Sequence, residues 1–405
     1  TDLVQVDGDG GWAYFMASPE DPTSRFLFRV PLSGQGACER VTPAGPAGTH
    51  SYQISNDGRW AIHTFSSREH VPRTDLVSIP DHSVQQILED NTEVRNAFAA
   101  LAKAPFEAFR VGIGDGVEID GWMIRPPDFG LSASYPLLIY VYGEPAGQTV
   151  RDRWGGNTGM WHIYLAQQGY IVASLDNRGT PASRGRGWRK SVYRQIGILA
   201  SDDQAAGVQA MFEAFPFIDH QRVGVWGWSG GGSMTLNLLF RHPEIYSTGI
   251  SVAPVPDQHL YDTVYQERYM GLPEDNVEGF TEGSPITHAA NLEGNLLLVH
   301  GTGDDNVHYQ GLERLINELV KHGKLFDLMS YPNRSHGISE GEGTSLHLRR
   351  TMTRFLEEHL EAGPKPIPPP RAPEAVSFLG GPLLAPAPSA ESIARYEEAK
   401  EIWEA

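Results

Sequence analysis

Arg222-Val-Gly-Val-Trp-Gly-Trp-Ser-Gly-Gly-Gly-Ser-Met-Thr-Leu-Asn-Leu-Leu-Phe-Arg241 decides how this chain is read. Arg222–Gly227 is an almost wholly apolar run of strand length, as a strand buried on both faces requires. Trp228–Gly232 is too rich in glycine to continue it. Met234–Phe240 is apolar again and of helical length. Strand, tight turn and helix therefore follow in order, with Ser229 at the turn. Small neighbours suit such a turn, because its backbone is strained and crowded. A hydroxyl at its free pKa is a poor nucleophile. It needs an imidazole base, and the imidazole needs a carboxylate to fix its tautomer. The reading turns on whether those partners follow.

Outward from this stretch, the strands alternate with helices. Phe109–Gly114 and Val117–Arg125 read as a hairpin. Apolar runs recur at Pro136–Tyr142, Tyr170–Leu175, Leu296–His300 and Phe326–Tyr331, and helical stretches at 158–168, 201–215, 230–241, 308–322 and 344–361. This alternation predicts a doubly wound, mostly parallel sheet, the α/β-hydrolase arrangement. In that arrangement the order is nucleophile, carboxylate, histidine. Leu296–His300 is followed by Gly301-Thr-Gly-Asp-Asp-Asn306, which offers Asp304 and Asp305. The last strand is followed by Pro332-Asn-Arg-Ser-His336, which makes His336 the base. His300 and His308, at a strand end and a helix start, read as packing or surface residues. His162, His242, His288 and His322 lack the required position. One oxyanion donor is expected from the backbone N–H of Gly230. The loop after Pro136–Tyr142 lacks the Gly-Gly motif of esterases, so the Tyr142 hydroxyl is a candidate second donor, with a plain strand-end aromatic as the alternative.

Residues 1–95 are different. Gly11-Trp-Ala-Tyr14 recurs as Arg59-Trp-Ala-Ile62, and Phe28-Arg-Val-Pro31 as Val77-Ser-Ile-Pro80. Each unit holds short alternating runs bounded by turn residues, and Asn56-Asp57-Gly58 is a tight-turn signal. A repeat of this length predicts about two blades of a β-propeller. The start at Thr1, within strand-like sequence, reads as that of a fragment or processed chain, and two blades do not close a ring. The missing blades are expected upstream or from a second copy, with a homodimer as one form. Residues 96–362 read as the catalytic domain. Residues 363–405 read as a Pro-rich extension, with an amphipathic helix over Ser389–Trp403.

The net charge of −18 disfavours nucleic acid and anionic membrane as partners, since both need a basic footprint. The single cysteine, Cys38, excludes an intrachain disulfide and a cysteine-based metal cluster. No apolar run is long enough to predict a spanning helix, and no signal-peptide pattern is present.

The motifs now on the page resemble the prolyl oligopeptidase family, and within it the dipeptidyl peptidase IV group. They are Gly227-Trp-Ser-Gly-Gly231, His300-Gly-Thr-Gly-Asp-Asp-Asn-Val-His308, Ser335-His-Gly-Ile338 and Tyr261-Asp-Thr-Val-Tyr265-Gln-Glu-Arg-Tyr-Met-Gly-Leu-Pro273. The resemblance covers 110–362 closely and the blades loosely. It implies Asp304 rather than Asp305 as the triad carboxylate, and Tyr142 as the side-chain oxyanion donor. It implies a proline pocket of Val255, Tyr261, Tyr265 and Val307, with Asn306 near the substrate carbonyl. Aromatic and β-branched walls suit a rigid pyrrolidine. The activity implied is a serine exopeptidase that takes peptides and releases N-terminal dipeptides, or tripeptides, after Pro or Ala. It needs no metal or organic cofactor. An acylaminoacyl-peptidase or esterase on the same scaffold is the alternative, and an inactive binding protein a third. A bacterial source would favour a periplasmic or secreted setting. Two departures stand out: Gly230 replaces the usual Tyr or Asn after the nucleophile, and the glutamate pair that grips a free amino terminus is absent from these residues.

Overall fold

The computed structural model describes residues 2–45 and 47–367. The helix expected over 389–403, and most of the Pro-rich extension, lie outside the described residues.

Residues 2–89 form two four-stranded antiparallel sheets. The first contains β1 (Asp2–Asp7), β2 (Trp12–Ala17), β3 (Phe26–Pro31) and β4 (Glu39–Arg40). The second contains β5 (Thr49–Ile54), β6 (Trp60–Ser66), β7 (Arg73–Ser78) and β8 (Val84–Glu89). The repeated tetrapeptides fall on equivalent strands, β2 with β6 and β3 with β7. Each sheet is one blade-like meander, and Leu27, Tyr52 and Val77 pack between the two. The turn at 56–58 closes with Gly58 N–H donating to Ser55 O at 2.9 Å. Helix α1 (Thr92–Ala99) straddles the expected domain boundary at 95/96.

A nine-stranded mixed sheet follows. Its strands are β9 (Glu107–Gly112), β10 (Glu118–Ile124), β11 (Ala133–Val141), β12 (Ile171–Leu175), β13 (Ile218–Trp228), β14 (Thr248–Val252), β15 (Asn295–Gly301), β16 (Asp327–Tyr331) and the short β17 (Lys365–Pro366). The order is β16-β15-β14-β13-β11-β12-β10-β9, with β17 on β11. The pairs from β12 through β11 and β13 to β16 are parallel. One more central strand is present than the sequence reading had. β14, Thr-Gly-Ile-Ser-Val, is fully buried but not a continuous apolar run. Its hydroxyls are satisfied internally, Thr248 by His359 O at 3.0 Å and Ser251 by Gly232 O at 2.9 Å.

Helices cover both faces. α2 (Gly156–Gln167) and α9 (Thr344–His359) bury Trp161, Leu165, Met352 and Phe355 against Leu138, Val172 and Trp226. After the short α3 (Gly185–Lys190) come α4 (Leu199–Ala214) and α5 (Gly230–Arg241), then α6 (Thr263–Met270) and α7 (Val277–Glu282), and α8 (Tyr309–Lys321). α4, α5 and α8 close the other face on Leu137, Ile139 and Val225. Strand order reverses at β11, whose chain successors lie on opposite sides of it. Open α/β sheets place their sites at such a switch point, at the carboxyl ends of the strands.

Candidate active site

Register brings Tyr142 and Ser229 together. Val141 pairs with Gly227 across β11 and β13, so both strands end at the same level. Ser229 then turns sharply, with φ 59 and ψ −122, a region that costs a non-glycine residue strain. Its N–H is anchored on Val252 O at 2.8 Å, and α5 begins at the next residue. Glycine is required on both sides of this turn. A Cβ at Gly231 would lie 2.2 Å from Val141 O, and one at Gly227 would lie 2.2 Å from Gly231 O. Strand and helix can approach only because these atoms are missing.

Asp304 lies on the loop after β15 and His336 on the loop after β16. The His336 Nδ1 and Asp304 Oδ2 are 2.7 Å apart. Asp304 Oδ1 accepts from the N–H groups of Asn306 at 3.0 Å and Val307 at 2.9 Å. Burial pushes its carboxyl up, but bonds from His300, His336 and Val307 N–H outweigh that and hold it well below the usual carboxylate range. Asp305, the neighbouring acid, is exposed. Trp228 Nε1 donates to His336 O at 3.0 Å and fixes the histidine loop over the strand that carries Ser229. Among the described residues no hydrogen bond joins Ser229 Oγ to His336. The Ser229 hydroxyl lies close enough to Tyr142 to lower the raised pKa of its hydroxyl. Serine–histidine contacts in free enzymes commonly tighten only when substrate binds. Burial, reinforced by Glu144, pushes the Tyr142 hydroxyl well above its ordinary range, so it stays protonated and able to donate.

The other residues singled out gather around the same point. The Tyr261 and Tyr265 rings meet edge-on at 5.3 Å between centroids, and Tyr261 OH donates to Asn306 Oδ1 at 3.0 Å. Their spacing of four is not one helical face: Tyr261 is extended and precedes α6, which carries Tyr265. Val255 and Val307 are buried, and Val255 N–H donates to Ser233 Oγ at 2.8 Å.

Two residues were missed by sequence reasoning. His300, read as a packed strand end, is fully buried. Its Nε2 is 2.8 Å from Val307 O and 3.2 Å from Asp304 Oδ2. It thus braces the loop that presents Asp304. Its four-residue spacing from Asp304 was the available signal. Glu144 is buried beside Gly230, and a Cβ at position 230 would meet its Oε2 at 2.7 Å. The carboxyl occupies the space left by the small residue after Ser229. Tyr265 OH donates to it at 2.9 Å. Burial pushes Glu144 up to about 7, against that opposing hydrogen bond.

A strained serine at the carboxyl end of a central parallel strand, beside a carboxylate–imidazole pair, defines a serine hydrolase of the α/β-hydrolase class. The chain belongs to the prolyl oligopeptidase family, in its dipeptidyl peptidase IV group. The prolyl oligopeptidase family matches residues 157–363, and the dipeptidyl peptidase IV N-terminal region matches residues 1–72. Prolyl endopeptidase FAP of Mus musculus is 37% identical over 277 residues, which are 67% of this chain and 36% of that protein. A probable dipeptidyl-aminopeptidase B of Emericella nidulans is 34% identical over 339 residues, 82% of this chain and 36% of that one. The crystal structure of Porphyromonas gingivalis dipeptidyl peptidase 4 superposes with a TM-score of 0.83 at 35% identity, covering 89% of this chain and 50% of that one. The chain thus spans about a third of the length of these curated relatives.

Proposed function

We propose that this protein is a serine exopeptidase that releases N-terminal dipeptides, or tripeptides, after Pro or Ala. The observation that carries the reading is the Asp304–His336 pair at 2.7 Å, facing a serine on a strained turn with the Tyr142 hydroxyl beside it. Ser229 Oγ attacks the scissile carbonyl while His336 takes its proton. Asp304 holds the imidazole with its proton on Nδ1 and stabilises the imidazolium that forms. The negative oxygen of the tetrahedral intermediate is stabilised by the Gly230 N–H and the Tyr142 hydroxyl. His336 then protonates the leaving amine, and the acyl-enzyme is hydrolysed by water activated at the same imidazole. Val255, Tyr261, Tyr265 and Val307 form the wall for a pyrrolidine or methyl side chain, and Asn306 faces the preceding carbonyl. The relatives above, a prolyl endopeptidase and a probable dipeptidyl-aminopeptidase, support this substrate class.

Residues 1–95 act as two propeller blades, 96–362 as the catalytic unit and 363–405 as an extension. The grip on the substrate's free amino terminus is assigned to further blades, contributed by an N-terminal segment or a second copy. The test uses the full-length protein on Gly-Pro and Ala-Pro anilides. Ser229→Ala is expected to lower kcat by about 10⁵-fold or more. Equal turnover in wild type and variant defeats the reading. Preference for N-acetylated over free substrates would transfer it to an acylaminoacyl-peptidase.

A further inference from the structure

A cavity of about 160 Å³ lies beside Tyr140 of β11, two residues before Tyr142 in the chain. It is bounded by Arg68 of the second blade, Arg151 and Arg153 of the loop after β11, Tyr140, and Thr158 and His162 of α2. A fourth guanidinium, Arg349 of α9, stacks on the Trp161 ring and donates to Thr158 Oγ1, a lining residue, at 2.9 Å. None of the ion pairs within 4.0 Å among the described residues includes any of these four arginines. Asp152 and Asp176 are the acids close by; their charges partly offset those of Arg68 and Arg151, yet neither forms an ion pair with them within 4.0 Å among the described residues, and Asp176 Oδ2 is buried without a hydrogen-bond partner. Asp152 Oδ1 accepts the Arg68 backbone N–H at 2.9 Å. Asp176 Oδ1 accepts from Thr149 N–H at 3.1 Å and Val150 N–H at 3.3 Å. In a chain of net charge −18, this pocket concentrates positive charge.

Three further features converge. Arg151 Nε, Arg349 Nη1 and His162 Nε2 are buried with no hydrogen-bond partner, an arrangement native proteins avoid because each such group has lost its water. Burial pushes the Arg68 guanidinium down to about 9, and Arg151 and Arg349 down to about 10, even with Asp152 and Asp176 acting the other way on Arg68 and Asp176 on Arg151. The N-terminus of α2 opens here at Gly155, with no side-chain cap and no acidic residue in its first turn. Free N–H groups and the helix dipole at such an end favour an anion.

We propose that this cavity binds a small tetrahedral oxyanion of the phosphate or sulfate class. Planar guanidinium forks and helix-end amides supply many donors in fixed directions, which matches four acceptor oxygens better than a single halide. The volume admits a free oxyanion or the head of a phosphomonoester. Bound there, the anion ties the second blade, through Arg68, to the loop that follows Tyr142. It also relieves the repulsion between Arg68, Arg151 and Arg153. The inference does not rest on the peptidase reading.

The test titrates inorganic phosphate, sulfate and phenyl phosphate separately into the full-length protein, by calorimetry and by thermal melts at fixed ionic strength. One saturable site per chain is expected, with a rise of several degrees in Tm that matched sodium chloride does not reproduce. Tighter binding of phenyl phosphate would make the natural occupant a phosphomonoester; equal or weaker binding makes it the free ion. Arg153→Gln is the chosen variant because its side chain makes no hydrogen bond among the described residues, so folding is preserved. Arg349→Gln is the second. Each is expected to weaken binding at least tenfold while fluorophosphonate still labels Ser229. No saturable binding in wild type overturns the proposal. So does binding unchanged in both variants, or an equal gain in Tm from chloride.

Discussion

At the scale of single residues, the site depends on who neighbours whom. Tyr142 stands beside Ser229 because β11 and β13 end in register, and its raised pKa keeps the proton needed to stabilise an oxyanion. Tyr142→Phe is therefore expected to lower kcat by about 10²- to 10³-fold with a smaller change in KM, measured on Ala-Pro anilide. Glu144 is shifted in the same direction, which for a carboxyl favours the uncharged form. Its folded pKa, about 7, lies above the ordinary 4.5. The folded state thus holds more protons than the unfolded state between those values, and stability falls as pH rises through that window. Above it, the buried carboxylate also opposes a negative oxygen forming at Tyr142. E144Q is expected to gain Tm over wild type on going from pH 5 to pH 8. The ratio of its kcat to that of wild type should rise several-fold from pH 6 to pH 8. A ratio that does not move with pH would remove Glu144 from the electrostatics of the site.

At the scale of elements, local pattern was informative wherever a segment was apolar throughout, as in β11, β13 and β15. β14 escaped because its buried polar groups are satisfied by partners far along the chain, His359 and Gly232. The second blade carries a comparable case. His50 on β5 and His63 on β6 stack at 5.1 Å, with Nδ1 of the first 2.9 Å from Nε2 of the second, and His82 joins them through Tyr52 OH at 2.9 Å. Burial first, then the neighbouring histidines and Arg40 or Arg73, pushes His50 down to about 4 and His63 down to about 3; burial also lowers His82. The unfolded chain takes up these protons near 6.5, so the blade's stability is complete above that pH and is lost as pH falls toward 4. Calorimetric melts from pH 7.5 to 4.5 should show the earliest transition moving down in temperature with acid. His63→Phe should flatten that dependence.

At the scale of the whole molecule, blades and sheet are joined through a few polar anchors. Arg25 Nη2 donates to Gln148 Oε1 at 2.6 Å, Thr49 Oγ1 to Asp152 O at 2.8 Å and Arg68 Nη2 to Thr149 O at 2.8 Å. All three land on the loop after Tyr142, so the blades hold the segment that follows the proposed oxyanion donor. The blades also expose apolar side chains, among them Leu3 at 68%, Val84 at 50% and Ile87 at 52%. Open strand edges with such side chains favour association. Residues 1–405 alone are expected to self-associate or to capture a second polypeptide. A single monodisperse monomer in light scattering, with no second polypeptide, would contradict this.

The sequence by itself determined what is local or ordered along the chain. The strand-turn-helix at Ser229 is legible because glycines and apolar runs stand next to each other, and the sequence order of Asp304 and His336 follows from a fixed succession of strands. The choice of Asp304 over Asp305 needed the resemblance. Only the tertiary structure decided the rest. Glu144 meets Tyr265, 121 residues away, under the gap at Gly230. His300 turns inward onto Asp304. Arg68 of the second blade and Arg151 and Arg153 of the loop after β11 line one cavity, beside which Arg349 of α9 is bonded to Thr158. None of these has a periodicity, because each is a contact between segments that chain order keeps apart and packing brings together.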